Sequence, residues 1–484
     1  MVGDQPHHHN MSTLWATKLE LAAQVGAYPY QGGKFADLEP VFQFLISSYP
    51  NETCGTIADD DWAAPFIDPG NALVQQAKDA KTSGNNATSY EYFLRAQALF
   101  RISHFPWIGP GSTSKLKLQT FNSSKDALKS AMDVAHNITF EEVSLAYNNS
   151  LKLYPDARDD FVVWAFRPAT TDKNGKKTAR AGPLPTILLI AGLGLNKPDQ
   201  MASIAPLLRF GYAVVVMDMP GTGDAPITGR YTYAGAAGEG TPPSDTNLWS
   251  AVVEYLQSQP HLYDAKKLFV LGLSTAAYWT FKLMYLMGEH FIAGVGQGGP
   301  VHYTFQEDWL NASQTLSYPC NLPVALGHAF GYDDPVEFTR EAWHYSLLNQ
   351  GLIGTLQPGQ ILSVNGFDDL VFPVDDSILL ATAYPPIVAN ATSPISSAAP
   401  APMLRLFPGA DNTGEGWGFP YVEQFFEQAI HGFGSGFSTS LTTRGTNSLT
   451  ATSGARNAGA HDHTLSPAVI LTVVLYSLAR IMVL

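Results

Sequence analysis

The feature that most constrains this chain is a series of short apolar runs between residues 160 and 409: FVVWAF, TILLIAG, YAVVVMDMPG, KLFVLGLS, AGVGQGG, QILSVNG and MLRLFPG. They are short, branched apolar runs, and several end in glycine or polar residues. Runs that are apolar throughout, rather than alternating, suit parallel strands covered on both faces. Helical stretches between several of them predict a mostly parallel, doubly wound α/β sheet, with its site at the carboxyl ends of the strands.

Residues 12–150 read differently. LEPVFQFLISSY, NALVQQAKDA and ATSYEYFLRAQALFRISHF carry apolar residues at three- and four-residue spacing, which predicts helices. In the third run Tyr90, Tyr92, Phe93, Ala96, Leu99 and Phe100 form one broad face, expected to pack on the following domain because so thin a helical segment cannot bury itself. This gives a helical cap over 12–150 and a sheet domain over 151–433. Residues 302–355 break the sheet rhythm with aromatic-rich helical material and read as a lid, and 389–402 as a surface loop. Residues 434–464 form a Ser/Thr/Gly-rich linker, and 465–484 an apolar tail.

Chemistry concentrates at LFVLGLSTAAYWTFKLMY, an apolar strand, then Gly272-Leu273-Ser274-Thr275-Ala276, then a run of good helix formers. A nucleophile elbow needs this arrangement, since its turn is too tight for large neighbours. It makes Ser274 the nucleophile and places the Thr275 backbone N–H where an oxyanion forms; Ala276 stands where a second glycine is usual. TILLIAGLGLN offers a second oxyanion donor at Gly192 or Leu193, although a glycine-rich turn serves equally well for backbone freedom alone. The acid of a triad follows a late strand, and in QILSVNGFDDLVFPVDDS the spacing favours Asp369, with Asp368 second; Asp375 or Asp376 suits a helix cap better. The base should follow the last strand, in MLRLFPGADNTGEGWGFP, but no histidine is there. Asp411 and Asn412 occupy the turn, and an amide cannot take a proton from a serine. His431 falls on or beyond the closing helix. His302, His328 and His344 lie in the lid, within range of the site but more simply read as packed or exposed histidines.

Taken together, SYEYFLRAQALFRISHF, VMDMPGTGDAP, GLSTAAY and NGFDDLVFP resemble the fungal branch of the α/β-hydrolases related to fermentation–respiration switch esterases, dihydroxypseudooxynicotine hydrolase and the heptaketide hydrolases of pigment pathways. The resemblance implies an α/β-hydrolase fold with an N-terminal helical cap, with Ser274 as nucleophile, Asp369 as acid, and Thr275 and the Gly192-Leu193 turn as oxyanion donors. The resemblance implies that the family histidine aligns with Asn412 or its immediate neighbour, where this sequence departs. The implied substrate is an ester or carbon–carbon bond beside a carbonyl, in a polyketide-like or other secondary metabolite. A non-hydrolytic lyase or cyclase, or a silent ligand-binding homologue, is the alternative.

Composition narrows the partners. A net charge of −14 without a Lys/Arg cluster argues against nucleic acid. No His/Cys set has metal spacing and MPGTGDAP lacks the Lys-Ser/Thr of a phosphate loop, so neither metal nor cofactor is expected. The expected partner is a small-molecule substrate, and a cap of this kind also offers a homodimer surface. The two cysteines, Cys54 and Cys320, read either as a cross-domain disulfide or as two separate buried thiols. Sequons begin at Asn51, Asn86, Asn122, Asn137, Asn148, Asn311 and Asn390, the candidates for glycosylation. The opening stretch lacks the basic start and unbroken apolar core of a signal peptide. Small residues at 453–455 followed by a spacer and the tail LSPAVILTVVLYSLARIMVL resemble a lipid-anchor signal, or a tail anchor shortened by Arg480. Membrane association is therefore the expectation, with a cytoplasmic chain as the alternative.

Overall fold

The computed structural model describes residues 9–149, 152–155, 157–172, 176–354, 360–383 and 402–431. The linker, the apolar tail, most of the 389–402 loop and Asn390 lie outside them. Within this range nine strands form one sheet in the order β1-β2-β5-β4-β6-β7-β8-β9, with β3 (Lys177–Ala179) paired to β2. All seven apolar runs are strands: β2 (Asp160–Thr171), β4 (Leu184–Ala191), β5 (Ala213–Asp218), β6 (Tyr263–Leu273), β7 (Ala293–Gln297), β8 (Gln360–Gly366) and β9 (Met403–Phe407). From β5 to β9 every neighbouring pair is parallel, while β2 runs antiparallel to both β5 and β1. This is the α/β-hydrolase fold, mostly parallel and doubly wound.

The strand β1 (Ile138–Ala146) begins inside the stretch read as helical. Its sequence, ITFEEVSLA, has the polar interruptions of an edge strand with one wet face, and it pairs with β2 alone, so it carries no continuous apolar run to announce it.

Burial on both faces is visible residue by residue. In β4 and β5, Leu188, Ile190, Val215 and Met217 enter one core with Trp249, Val252 and Tyr278. Their neighbours Ile187, Leu189, Val214 and Val216 enter another with Ile204, Leu207, Val422 and Phe426. The period of two sends alternate side chains to opposite faces, and helices Asp245–Ser258 and Ala276–Met287 cover one face while Met201–Arg209 and Glu415–His431 cover the other.

The cap differs from expectation in one respect. Its helices, including Phe35–Ser48, Ile67–Thr82, Asn86–Ser103 and Lys115–Val134, do bury a core of their own around Trp15, Phe42, Trp62, Phe66, Leu99 and Phe100. The aromatic face of Asn86–Ser103 is therefore split: Ala96, Leu99 and Phe100 serve the cap's core, whereas Phe93, with Tyr90 and Tyr92 against it, joins the sheet's. In the lid, helices Glu307–Ser313, Leu322–Ala329 and Pro335–Glu341 surround Phe305, Phe330, Phe338 and Tyr345, which stack on one another and on Tyr278 of helix Ala276–Met287. Among the described residues no helix is long and apolar enough to cross a membrane.

Cys54 of the cap and Cys320 of the lid form a disulfide across 266 residues of sequence, which resolves the two readings of the cysteines. A cross-link closing so long a loop removes much of the unfolded chain's freedom. Replacing both cysteines with serine is expected to cost about 2–5 kcal/mol, measurable by urea denaturation against wild type under non-reducing conditions.

Candidate active site

The site forms where β6, β7, β8 and β9 end. Ser274 follows β6 directly and has φ +56, a left-handed conformation that disfavours residues with a Cβ. Only Lys152, Ser274 and Thr413 adopt positive φ among the described non-glycine residues, and Ser274 and Thr413 lie in this one cluster of loops. The turn is held by its surroundings: the Ser274 N–H donates to the Gln297 carbonyl at 2.7 Å, and Ala277 N–H donates to the Ser274 carbonyl at 2.8 Å. Close packing explains the small residues. A methyl group on Gly272 would strike the Ala276 carbonyl, and one on Gly299 the Ser274 carbonyl.

Gly192 lies against the elbow, where a methyl group would sit 2.5 Å from the Leu273 carbonyl oxygen. Leu193 is buried beside it, and Thr275 is buried at the start of the following helix. The structure thus brings the Gly192-Leu193 turn up against the elbow that carries Ser274 and Thr275. Tyr28 and Phe105 of the cap press on this turn at Gly194, which no spacing in the sequence signals.

Asp369 points inward and is 4% exposed. Its Oδ1 accepts N–H bonds from Val371 at 2.8 Å and Phe372 at 2.9 Å, and its Oδ2 accepts from the side-chain amides of Asn365 at 2.9 Å and Asn412 at 3.0 Å. Burial, then the negative charge of Asp411, pushes its carboxyl up to about 7, against these donors, which favour the ionised form. Asp368 is exposed and its carboxylate accepts the Gly409 N–H, so it faces away from Asp369's partners. Asp376 does not spend its carboxylate on its own helix; it gathers the backbone N–H groups of Val301, His302, Tyr303 and Thr304 after β7.

Asn412, expected from the sequence to stand where a histidine base would be, is half-buried and bonded to Asp369. Its amide lies against Gly298, where a methyl group would be 2.6 Å from Nδ2, and Gly298 is the neighbour of the Gly299 that abuts Ser274. Asn365 was not singled out from sequence, yet it holds Asp369 through Nδ2 and the Thr413 N–H through Oδ1; a polar residue ending a buried strand was the available signal.

None of the described histidines bonds to Ser274, Asp369 or Asn412. His302 pairs through Nδ1 with Ser346 Oγ at 2.7 Å. His328 stacks on Trp107 and His344 on Tyr233, and His431 is exposed beside Glu427. The described residues contain no group of three His, Cys, Asp or Glu side chains arranged to hold a metal ion.

In the segment that follows the Gly192-Leu193 turn, Asp199 is buried, accepting the Asn196 N–H at 2.7 Å and the Gln97 amide. Burial pushes its carboxyl up to about 7, although Arg101 pulls it down.

No family model matches the chain. The chain is 24% identical over 327 residues to esterase FrsA of Salmonella paratyphi B and, equally, to that of Salmonella newport, covering 67% of this chain and 68% of each relative. Among solved structures it is similar to 2,6-dihydroxy-pseudo-oxynicotine hydrolase, with TM-score 0.56 and 15% identity over 82% of this chain and 92% of that one. It is also similar to AbyA5, with TM-score 0.53 and 14% identity over 87% and 92%.

Because Asp199 holds its proton up to about pH 7 when folded but only to about 4 when unfolded, its contribution to stability is present in acid and is lost as pH rises from about 4 to 7. Asp199→Asn should flatten that decline by about 1–3 kcal/mol between pH 5 and 7, read from urea denaturation at both pH values; an unchanged slope would show that Asp199 is already ionised at pH 5.

Proposed function

We propose that this chain, a member of the α/β-hydrolase superfamily, is a hydrolase-type enzyme that cleaves an ester or carbon–carbon bond beside a carbonyl, through Ser274. The observation that carries the reading is the 3.0 Å bond from Asn412 to Asp369 in a site whose serine is held on a left-handed elbow. This bond supports a triad-like site in which an amide stands in place of the base. The likeness to esterase FrsA over two-thirds of the chain supports hydrolysis.

In this reading Ser274 Oγ attacks the carbonyl carbon, and the Thr275 N–H and the Gly192-Leu193 turn receive the negative oxygen. One such donor typically contributes about 3–4 kcal/mol. Asn412 orients the serine or the substrate but takes no proton. The Oγ proton must then pass to the departing alkoxide or enolate as the carbon–oxygen or carbon–carbon bond breaks. Water cleaves the acyl-enzyme and returns a proton to Ser274. Activated esters and β-dicarbonyl compounds have leaving groups suited to this, which favours polyketide-like or other secondary metabolites as substrates.

The same replacement supports a second reading, in which the pocket binds its ligand without hydrolysing it, or assists lyase or cyclisation chemistry by positioning and oxyanion stabilisation alone. A fluorophosphonate probe separates the two. Wild type should be labelled and Ser274→Ala should not. Asn412→His should label about 100-fold faster or more. A folded wild type that takes no label would favour the second reading.

We further infer passage through an oxidising, glycosylating compartment. The disulfide supports this, and so does the placement of the sequons: Asn51, Asn122, Asn137, Asn148 and Asn311 are exposed and Asn86 is half-buried. Protein made in a eukaryotic secretory host should fall in mass on treatment with an N-glycosidase; an unchanged mass would remove this inference. Membrane attachment through the C-terminal tail fits the same route.

A further inference from the structure

VMDMPGTGDAP, a distinctive motif of the sequence, has no role in the chemistry above. Its third residue, Asp218, is the last residue of β5 and is 2% exposed. One oxygen of Asp218 accepts the Lys197 backbone N–H at 2.6 Å, and the other accepts Lys197 Nζ at 2.9 Å and the Asp224 N–H at 2.9 Å. Gly223 lies so close that a methyl group there would strike the Asp218 carboxylate, which explains the glycine. Lys197 is fully buried, so its ammonium has to be paired, and its second partner is Asp224 at 3.0 Å. Burial works against the charge on Asp224, but Lys197 and Lys125 outweigh it and hold the carboxyl down at about 2.

Lys125 belongs to the cap. It lies on helix Lys115–Val134 and reaches Asp224 Oδ2 at 3.1 Å. Two further cap contacts end on the same ground: Trp107 Nε1 donates to the Gly221 carbonyl at 2.9 Å, and Gly223 N–H donates to the Ile108 carbonyl at 2.8 Å. Lys197 in turn follows the Gly192-Leu193 turn by only a few residues, and just beyond it Asp199 accepts both the Asn196 N–H and the side-chain amide of Gln97 of the cap.

We propose that Lys125, Asp224, Lys197 and Asp218 form a relay through which the cap sets the position of the oxyanion turn, making Lys125 and Lys197 positioning residues for the reaction at Ser274. The inference rests on the serine-enzyme reading above. A cap that shifts over a bound substrate moves Lys125, then Asp224, one of the two carboxylates bonded to the Lys197 ammonium. The main chain at 196–197 follows because Asp218 grips both its N–H and its side chain. The cap is then part of the catalytic geometry as well as a cover.

Lys197→Met would leave Asp218 charged and buried, and the variant is expected to misfold. Lys125→Met is the informative change, because Asp224 keeps Lys197 as partner. Two readouts apply to the full chain: hydrogen–deuterium exchange of peptides spanning 192–200, and the fluorophosphonate labelling rate as a function of probe concentration. Lys125→Met should speed exchange in 192–200 and lower the maximal labelling rate about three- to thirtyfold, with the half-saturating concentration unchanged. Lys125→Arg should restore both. Lys129→Met, on the same helix but paired with Glu142, should alter neither. Wild-type exchange and rate in Lys125→Met would overturn the proposal, as would an equal effect from Lys129→Met. If wild type takes no label, the serine reading fails, and exchange alone decides whether the relay holds the turn.

Discussion

The rest of the site depends on one backbone conformation, the left-handed Ser274. Holding a residue with a side chain at φ +56 costs on the order of 1–3 kcal/mol, so the surroundings must impose it. They do so by contact: Gly272, Gly299 and Gly192 allow three strands' loops to close on the turn, and the Gln297 carbonyl anchors the Ser274 N–H. A turn held from all sides in this way presents its hydroxyl in one place. The buried parallel strands behind it supply the rigidity.

Around that fixed point the polar groups are arranged in two sets. On one side Asp369, Asn365 and Asn412 form a closed group in which every carboxylate oxygen is hydrogen-bonded. On the other, Asp218, Lys197 and Asp224 hold the segment that follows the Gly192-Leu193 turn. Both sets are largely buried, and a buried polar set persists only when its members satisfy one another. The Asp369 set ends on the Asn412 amide, which cannot accept a proton; under the function proposed above, the reaction would then lean on electrostatic stabilisation at the Gly192-Leu193 turn and on where the substrate can send its own proton.

Cap and lid are joined to this arrangement more firmly than loose covers would be. The cap has its own core, yet Trp107, Ile108, Gln97 and Lys125 all make polar contacts with the loops under it. The lid packs aromatic rings on the helix that begins at the elbow, and the Cys54–Cys320 disulfide ties cap to lid.

The amino-acid sequence by itself determined the strands and the elbow. Seven apolar runs became seven strands because a strand buried on both faces needs no partner-specific pattern, only length and branched side chains. Gly272-Leu273-Ser274-Thr275-Ala276 was legible because a tight turn admits few residue types. Spacing after β8 and β9 drew attention to Asp369 and Asn412, and the fold sets their side chains 3.0 Å apart. Tertiary structure alone decided which cysteine reading held, that Asp368 faces away, that Asp376 serves the 301–304 turn, and that Asn365, Asp218 and Lys197 build the polar framework. Those choices depend on contacts between segments tens to hundreds of residues apart. The edge strand β1 escaped notice for a related reason: its alternating polar residues acquire meaning only when β2 lies beside it. Local pattern records the conformation a segment prefers, whereas the partner of a buried charge is fixed only once the chain has folded around it.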